Sequence, residues 1–544
     1  MPPNPFRRGR ALVRVFLTTL RMLVLRAETT HCCQGHNKTD TRMSAVTFES
    51  SKNSLGSPPE AHSVRRLLVW GGYAGAVLGS AVLFQGWQME AVPPVIYLLG
   101  MAVLALCLLP ITIWQAGRRE GAPMFELLCL ACALAYSVPV FLHENFIRNY
   151  NTYTAISWEA LQRALAITIM GIAAMMAGYY LVLRSPMAQG LHRADLPMNP
   201  RRLTLLFFVV FGVGGGLRVF ERLTVGSSSG LANALSSLLT FVLGAGIALM
   251  AFRVFQPEGG SRHGSKPILY GVVGALALTG IGTGMLEDGF VPLIVLMGAR
   301  WSANRRVPIV WLLLGAAAII VLNSAKGEYR SEVWYVDKSA SIPERMALWA
   351  DKSTVVVNSM TYPNGLNDAI VRTVHRFDLI HIFAHVVELT PGEIPHYGGA
   401  SYGYLLYGWI PRAIWPDKPI AQDANVLFAM DYGLIIEAQR DSTRMGLGFL
   451  TEAYANYGVL GVLGVMFLIG SLFGAVGRIF NGPQSDGGRA AYISVLAFYL
   501  NGIGSATTMF FFFGIQGFVA VPLILRYFAL SWRAPAGLSK AERV

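Results

Sequence analysis

Charge is what this sequence is short of. Asp, Glu, Lys and Arg make up 14% of its 544 residues, against roughly 25% in a soluble domain. So little charge cannot cover a water-facing surface on a chain of this length, and 53% of the residues are hydrophobic, with a mean hydropathy of +0.47. Cysteine is scarce as well. The five stand at Cys32, Cys33, Cys107, Cys129 and Cys132, the last three within apolar runs, which argues against a disulfide framework. Acid is scarcer than base, 31 residues against 44, for a net charge of +13. In so apolar a chain the placement of that surplus matters more than its size, and nucleic acid is not the partner it implies.

Long apolar runs are what the sequence has instead. A window of about 19 residues marks spans at 67–85, 91–114, 123–142, 159–183, 203–217, 233–252, 268–283, 289–301, 307–323, 454–476, 490–506 and 508–526. The eighth is the weakest, with about a dozen apolar residues, and suits a tilted or half-spanning helix. The expected fold is an all-α polytopic membrane protein of about 12 transmembrane helices. Its parts are a polar and basic extension (1–62), spans one to nine (63–323), a large loop (324–453), spans ten to twelve (454–526) and a tail (527–544).

Basic residues set the orientation. With the N-terminus inside, the inner loops and flanks carry twenty Arg and Lys, among them Arg118, Arg119, Arg201, Arg202, Arg305 and Arg306. The short outer loops hold three: Arg148, Arg218 and Arg222. This asymmetry puts both termini in the cytoplasm and residues 324–453 outside. Every other connection is short, so the 324–453 loop is where function is expected.

The extension reads differently. "PFRRGRALVRVFLTTLRMLVLRAETT" is apolar with a helical period but broken by Arg14 and Arg21, which suits a membrane surface better than a span. The stretch after it is polar and turn-rich, the composition of a disordered segment. His31, Cys32, Cys33 and His36 lack the ligand spacing of a standard zinc site. A working start is expected downstream of residues 1–42, at Met43.

Within the large loop, "PNGLNDAIVRTVHRFDLIHIFAHVVEL" predicts one helix from Asn367, its cap, to Leu389. At 100° per residue, Arg372, Arg376, Leu379, Phe383 and Val386 share one face; Asp378, His381, His385 and Glu388 share the other. Two His at i, i+4 beside carboxylates invite a metal reading, but Ile382 stands where H-E-x-x-H requires Glu. A solvated polar face is the expected reading, and no metal ligand is assigned. The following "YGWIPRAIWPDKP" (407–419) is stiffened by proline and rich in aromatics and cations. Aromatic faces stack on sugar rings, Arg grips phosphate with a planar fork and Lys as a point charge. A membrane-interface aromatic belt has the same composition. Glu452 and Asn456, four apart where the tenth span leaves the outer surface, share a helix face at membrane depth. Glu287 and Asp288, in "GTGMLEDGF", read as turn residues.

Three strings carry a resemblance: "RTVHRFDLIHIFAHVVELTP" ahead of "YGGASYGYLL", "IPRAIWPDKP", and "GFLTEAYANYGVLGVLG". Together they cover about residues 370–465, and the chain resembles the Wzy-type O-antigen and exopolysaccharide polymerases, a group related to the O-antigen ligases. The resemblance implies a C-type glycosyltransferase-like layout with one large extracytoplasmic loop. It implies transfer of a growing glycan from undecaprenyl diphosphate to the sugar hydroxyl of the next lipid-linked oligosaccharide repeat unit, at the periplasmic face of a bacterial inner membrane. Cations must stabilise the leaving diphosphate and a base must take the hydroxyl proton. Carried onto this sequence, Arg376, Arg412, Glu452 and His375 fall to catalysis. Arg218, Arg222, Arg372, Tyr402, Trp415, Lys418, Arg444 and Asn456 fall to substrate binding. No D-x-D occurs in the outer loops, so Arg and Lys are expected in a metal's place, with no cofactor. The membrane is a partner, and a chain-length determinant and a flippase are the protein partners of such an enzyme. Two other readings share parts of this pattern: an O-antigen ligase with a lipid A core acceptor, and a transporter or flippase. The second lacks corresponding halves and paired broken helices.

Topology gives the first test. Alkaline phosphatase fused after Gly398 should be active in a bacterial host, and the fusion after Gly482 inactive. The reverse pattern would place the large loop in the cytoplasm and sink the orientation.

Overall fold

A computed structural model describes residues 59–85, 92–117, 121–141, 156–186, 230–255, 265–284, 286–304, 309–336, 341–403, 423–437, 446–482, 486–501 and 517–526, with Leu405, Trp415, Ile503 and Gly504 besides. The described elements are helical throughout. The chain forms two units, residues 1–90 and 91–544. Helix α1 (Pro59–Gln85) is the described part of the first. Residues 1–58 of the expected extension 1–62, the fifth span at 203–217 and the tail beyond 526 lie outside the described residues, while residues 59–62 of the extension open helix α1.

The second unit runs α2 (Pro94–Ala116), α3 (Met124–Tyr136), α4 (Trp158–Arg184), α5 (Gly230–Phe255), α6 (Ser265–Gly282), α7 (Leu286–Asn304) and α8 (Ile309–Arg330). It continues through α9 (Ile342–Ser359), α10 (Gly365–Phe377), α11 (Ile380–Leu389), α12 (Asp423–Asp431), α13 (Phe449–Phe480) and α14 (Asp486–Asn501). A short apolar helix, α15 (Gly517–Arg526), lies at the end of the described chain. A helix thus overlies each expected span that falls within the described residues. Among those residues, four are long and apolar enough to cross a membrane: Pro94–Ala116, Trp158–Arg184, Val310–Val333 and Phe449–Phe480. One helix, α3, falls short for a visible reason. The run at 123–142 becomes a 13-residue helix that gives way to a 3₁₀ turn over Val138–Phe141, and 13 residues rise only about 20 Å against a hydrocarbon core of roughly 30 Å. Glu287 and Asp288 belong to the first turn of α7 rather than to a hairpin turn, a correction to the sequence reading.

The centre of the unit is the pair α4 and α13. Ser157 caps α4 through its hydroxyl, which accepts from the Ala160 amide at 3.2 Å; Glu159 and Arg184 complement the two ends of the dipole. The two helices approach at small residues: a Cβ on Gly470 would run into the Met175 carbonyl, and one on Gly178 into that of Phe467. Without a hydrophobic drive between helices in lipid, such close backbone approach is how spans adhere. Helix α11 packs on both members of this pair.

The helix expected over 367–389 is two helices. Asp378 is extended (φ −71°, ψ 109°), and the Leu379 amide donates to Ala135 O at 3.1 Å, across to the end of α3. The Asp378 carboxylate accepts from the His381 amide at 3.2 Å, so it starts α11 as a capping residue would. The helical period continues across the break, which hid it. As a result Arg372 and Arg376 are exposed on α10, whereas Leu379, Phe383 and Val386 are buried with α11.

Gly470→Ala should lower stability by about 1–3 kcal/mol through overpacking against a backbone oxygen. Gly464→Ala, on the same helix with open space around it, should not. Thermal unfolding in detergent checks the pair; equal effects would mean that α4 and α13 do not meet at Gly470.

Candidate functional site

Helix α13 is broken near its start. Tyr457 (φ −141°, ψ 19°) and Gly458 (φ 61°, ψ −148°) leave the helical range, a conformation Gly458 accepts without strain. The break frees the carbonyls of the first half-helix, and those of the buried Ala455 and Asn456 need donors. The segment 396–399 supplies them. The Tyr397 amide and His396 Nδ1 meet Ala455 O at 3.1 and 3.3 Å, and the Gly398 amide donates to Asn456 O at 3.2 Å. The Tyr457 hydroxyl donates to Gly398 O at 3.0 Å. Gly399 (φ 93°) must be glycine twice over, since a Cβ there would also strike the Tyr457 hydroxyl.

Side chains lock the same contact. Asn456 Oδ1 accepts from the Gly399 amide at 2.9 Å, while its Nδ2 donates to Ser401 Oγ at 2.9 Å and to Glu452 O at 2.8 Å. Ser401 in turn donates to Glu452 Oε1 at 2.7 Å. Tyr402 stacks near-parallel on Tyr457, ring centroids 6.4 Å apart. Glu452 is 1% exposed and Asn456 fully buried. The chain 397–403 is thus clasped to the half-helix, and the stretch that carries Arg412 and Lys418 starts from this fixed point.

A second layer steadies the first. Tyr397 donates to Asp431 Oδ2 at 2.6 Å, and Thr390 and Tyr432 share a hydroxyl contact of 2.6 Å. Burial first, then the bond to Asp431 and its charge, raise the Tyr397 phenol above its ordinary range. Burial pushes Tyr432 up to about 12, against the lowering effect of its Thr390 bond. Both phenols therefore stay neutral at physiological pH.

The polar face of α11 departs from expectation. Asp378, His381 and His385 are not solvated; they are 2%, 0% and 4% exposed. Nor do they converge on a common point. His381 Nδ1 meets Asp378 Oδ2 at 2.5 Å, His385 Nε2 donates to Tyr432 O at 2.9 Å, and Glu388 Oε1 accepts from the Ser157 amide at 3.1 Å. Among the described residues, no group of three or more His, Cys, Asp or Glu is arranged to hold a metal ion. The apolar majority of α11 draws it in between α4 and α13, where His381, His385 and Glu388 each make a hydrogen bond.

Of the residues expected at the site, the structure brings Glu452, Asn456 and Tyr402 together. Arg372, His375 and Arg376 lie exposed on α10, a different element. Trp415 is exposed. Arg218, Arg222, Arg412, Lys418 and Arg444 lie outside the described residues. Sequence reasoning missed Ser401, Gly399 and Tyr457. Their signals were the paired glycines of "YGGASYG" and the helix-breaking glycine of "NYG".

Residues 132–479 match the family described as "Domain of unknown function (DUF8712)". No curated protein and no solved structure matches the chain.

Asn456→Asp should open the clasp, because it loses both Nδ2 donations and sets a carboxylate beside Glu452. Leaving buried partners unmet costs about 1–3 kcal/mol. Hydrogen exchange over 396–402 should rise in Asn456→Asp more than in Ser401→Ala. Unchanged protection in both would show that the segment is held by other contacts.

Proposed function

The chain belongs to the DUF8712 family, and we propose that this member is a glycosyltransferase that polymerises lipid-linked oligosaccharide repeat units. The observation that carries the reading is the clasp. Two of the three polymerase-like strings, "YGGASYG" and "EAYANYG", lie about 55 residues apart in sequence and meet through Ser401, Glu452 and Asn456. A motif shared with a family is better supported when its separated parts have a physical reason to occur together.

On this reading the protein has twelve spans, both termini in the cytoplasm and its 324–453 segment at the outer face of a bacterial inner membrane. The donor is a glycan on undecaprenyl diphosphate. The bond from its anomeric carbon to the phosphate oxygen breaks as the acceptor hydroxyl oxygen bonds that carbon. The polyprenyl diphosphate leaves with the electron pair, and a base takes the hydroxyl proton. Arg412 and Lys418 neutralise the diphosphate as it departs. Glu452, deep in the clasp, fits a positioning role better than the catalytic one its motif suggests, since an acceptor sugar would have to displace Ser401 to reach it. His375, exposed on α10, takes the proton in its stead. A chain-length determinant and a flippase would work beside such an enzyme.

Arg412→Lys keeps the charge but loses the bidentate fork. A contact made mainly in the transition state is worth about 2–4 kcal/mol, so polymerisation should slow roughly 30- to 1000-fold at matched expression. The purified wild type should polymerise lipid-linked units in excess EDTA. Normal rates for Arg412→Lys would remove this residue from the mechanism; activity lost to chelator and restored by magnesium or zinc would replace the cations with a metal.

A further inference from the structure

We propose that the joined ends of α5, α6, α7 and α8 hold the phosphate headgroup of an anionic phospholipid through Arg300. The proposal is independent of the polymerase reading, which assigns no role to this end of the bundle. Phe255 closes α5, Tyr270 lies in the second turn of α6, Arg300 near the end of α7 and Trp311 in the first turn of α8. Aromatic contacts tie the four together. Arg300 Cζ stands 5.3 Å from the Phe255 ring centroid and 5.7 Å from that of Trp311. Tyr270 stacks near-parallel on Trp311 at 6.4 Å and meets Phe255 at a tilt, also at 6.4 Å. The next residue sets the rotation of α7: Trp301 is buried edge-on against Trp114 of α2 at 5.8 Å, which leaves Arg300 half-buried at the margin.

A ring attracts a guanidinium through its face. The N–H donors lie in the guanidinium plane and remain for another partner. Among the described residues, none accepts a hydrogen bond from Arg300 or pairs with its charge. Arg253, two residues before Phe255, and Lys266, one turn before Tyr270, add positive charge at the same end. The four helices carry three carboxylates, Glu287, Asp288 and Glu328, and all three stand at the opposite end. The result is a concentration of cations without acid, beside two partly open rings: Trp311 is 49% exposed and Tyr270 36%.

Water would serve the donors of a single snorkelling Arg. It gives no reason for three basic residues and two open rings to meet where no acid does. A phosphodiester offers its anionic oxygens to the guanidinium fork, and Trp and Tyr favour the depth at which headgroups lie. Away from this end the surface turns apolar. Val310, Leu313 and Leu314 on α8 and Leu278 on α6 are exposed. A Cβ on Gly271, Gly274 or Gly315 would meet nothing within 4 Å, so an acyl chain has room along both helices. Inorganic phosphate has no use for that apolar surface. A zwitterionic lipid brings a cation of its own toward Arg253, Lys266 and Arg300, which repel it. Charge and apolar surface in this order therefore select an anionic phospholipid.

Native mass spectrometry of the full chain, titrated in detergent with phosphatidylglycerol and with phosphatidylcholine, tests the site. One phosphatidylglycerol should stay bound at concentrations where phosphatidylcholine does not. Arg300→Gln should weaken that binding about tenfold, and Trp311→Leu should weaken it while keeping the apolar area. Arg300→Lys, which retains the charge, should keep part of the binding, which shows that the loss is not a failure to fold. Arg184→Gln, at the end of α4, should leave the binding unchanged. Equal losses in Arg184→Gln and Arg300→Gln would mean only a general attraction to basic helix ends, and would overturn the proposal. So would equal retention of the two lipids, displacement of the bound lipid by inorganic phosphate, or a dimer that Arg300→Gln dissociates.

Discussion

A helix that breaks in its interior must find donors for the carbonyls it frees, and the rest of this structure is arranged around that need. Tyr457 and Gly458 interrupt α13, and the amides of Tyr397 and Gly398 close on the exposed ends of Ala455 and Asn456. An unsatisfied buried carbonyl there would cost about 1–3 kcal/mol. The interaction is therefore obligatory rather than decorative, and it fixes where a segment more than fifty residues earlier in the chain must lie. Asn456 then serves both partners, since its oxygen takes the Gly399 amide while its nitrogen reaches Ser401 and the Glu452 carbonyl.

From that constraint the remaining parts take their places. The clasp requires 390–403 to lie against α13, and α11 delivers it there by packing on α4 and α13. Helix α11 can insert among spanning helices because seven of its ten residues are apolar and its polar ones have partners close by. Glu388 ties its end to the first turn of α4, where a carboxylate also meets the positive end of the helix dipole. The described chain that precedes residues 404–422 thus ends in a fixed anchor on α13.

Much of the fold was legible because apolar length is a strong signal. The helices at 94–116, 158–184, 309–330 and 449–480 fall where unbroken apolar runs place them. A window average counts apolar residues without marking where a helix stops, so it overstates α3, which ends at Tyr136. The break at Asp378 was hidden for a related reason: the 100° pattern runs straight through it, and only the capping chemistry of Asp378 toward His381 betrays it. Burial of His381 and His385 was illegible, since a polar stripe looks the same whether water or another helix lies against it. Glu452 and Asn456 could be paired from their spacing. Their partner Ser401 could not, because nothing in local sequence states which loop meets which helix.

On the proposed function, each new glycosidic bond is formed at the expense of a sugar–diphosphate bond. Counting both products in one reaction tests it most directly. Purified protein, reconstituted with a synthetic undecaprenyl-diphosphate-linked repeat unit as its only sugar source, should release one undecaprenyl diphosphate for every linkage it makes. Repeat units that cross the bilayer without any linkage formed, or linkages formed without release of the diphosphate carrier, would contradict the account.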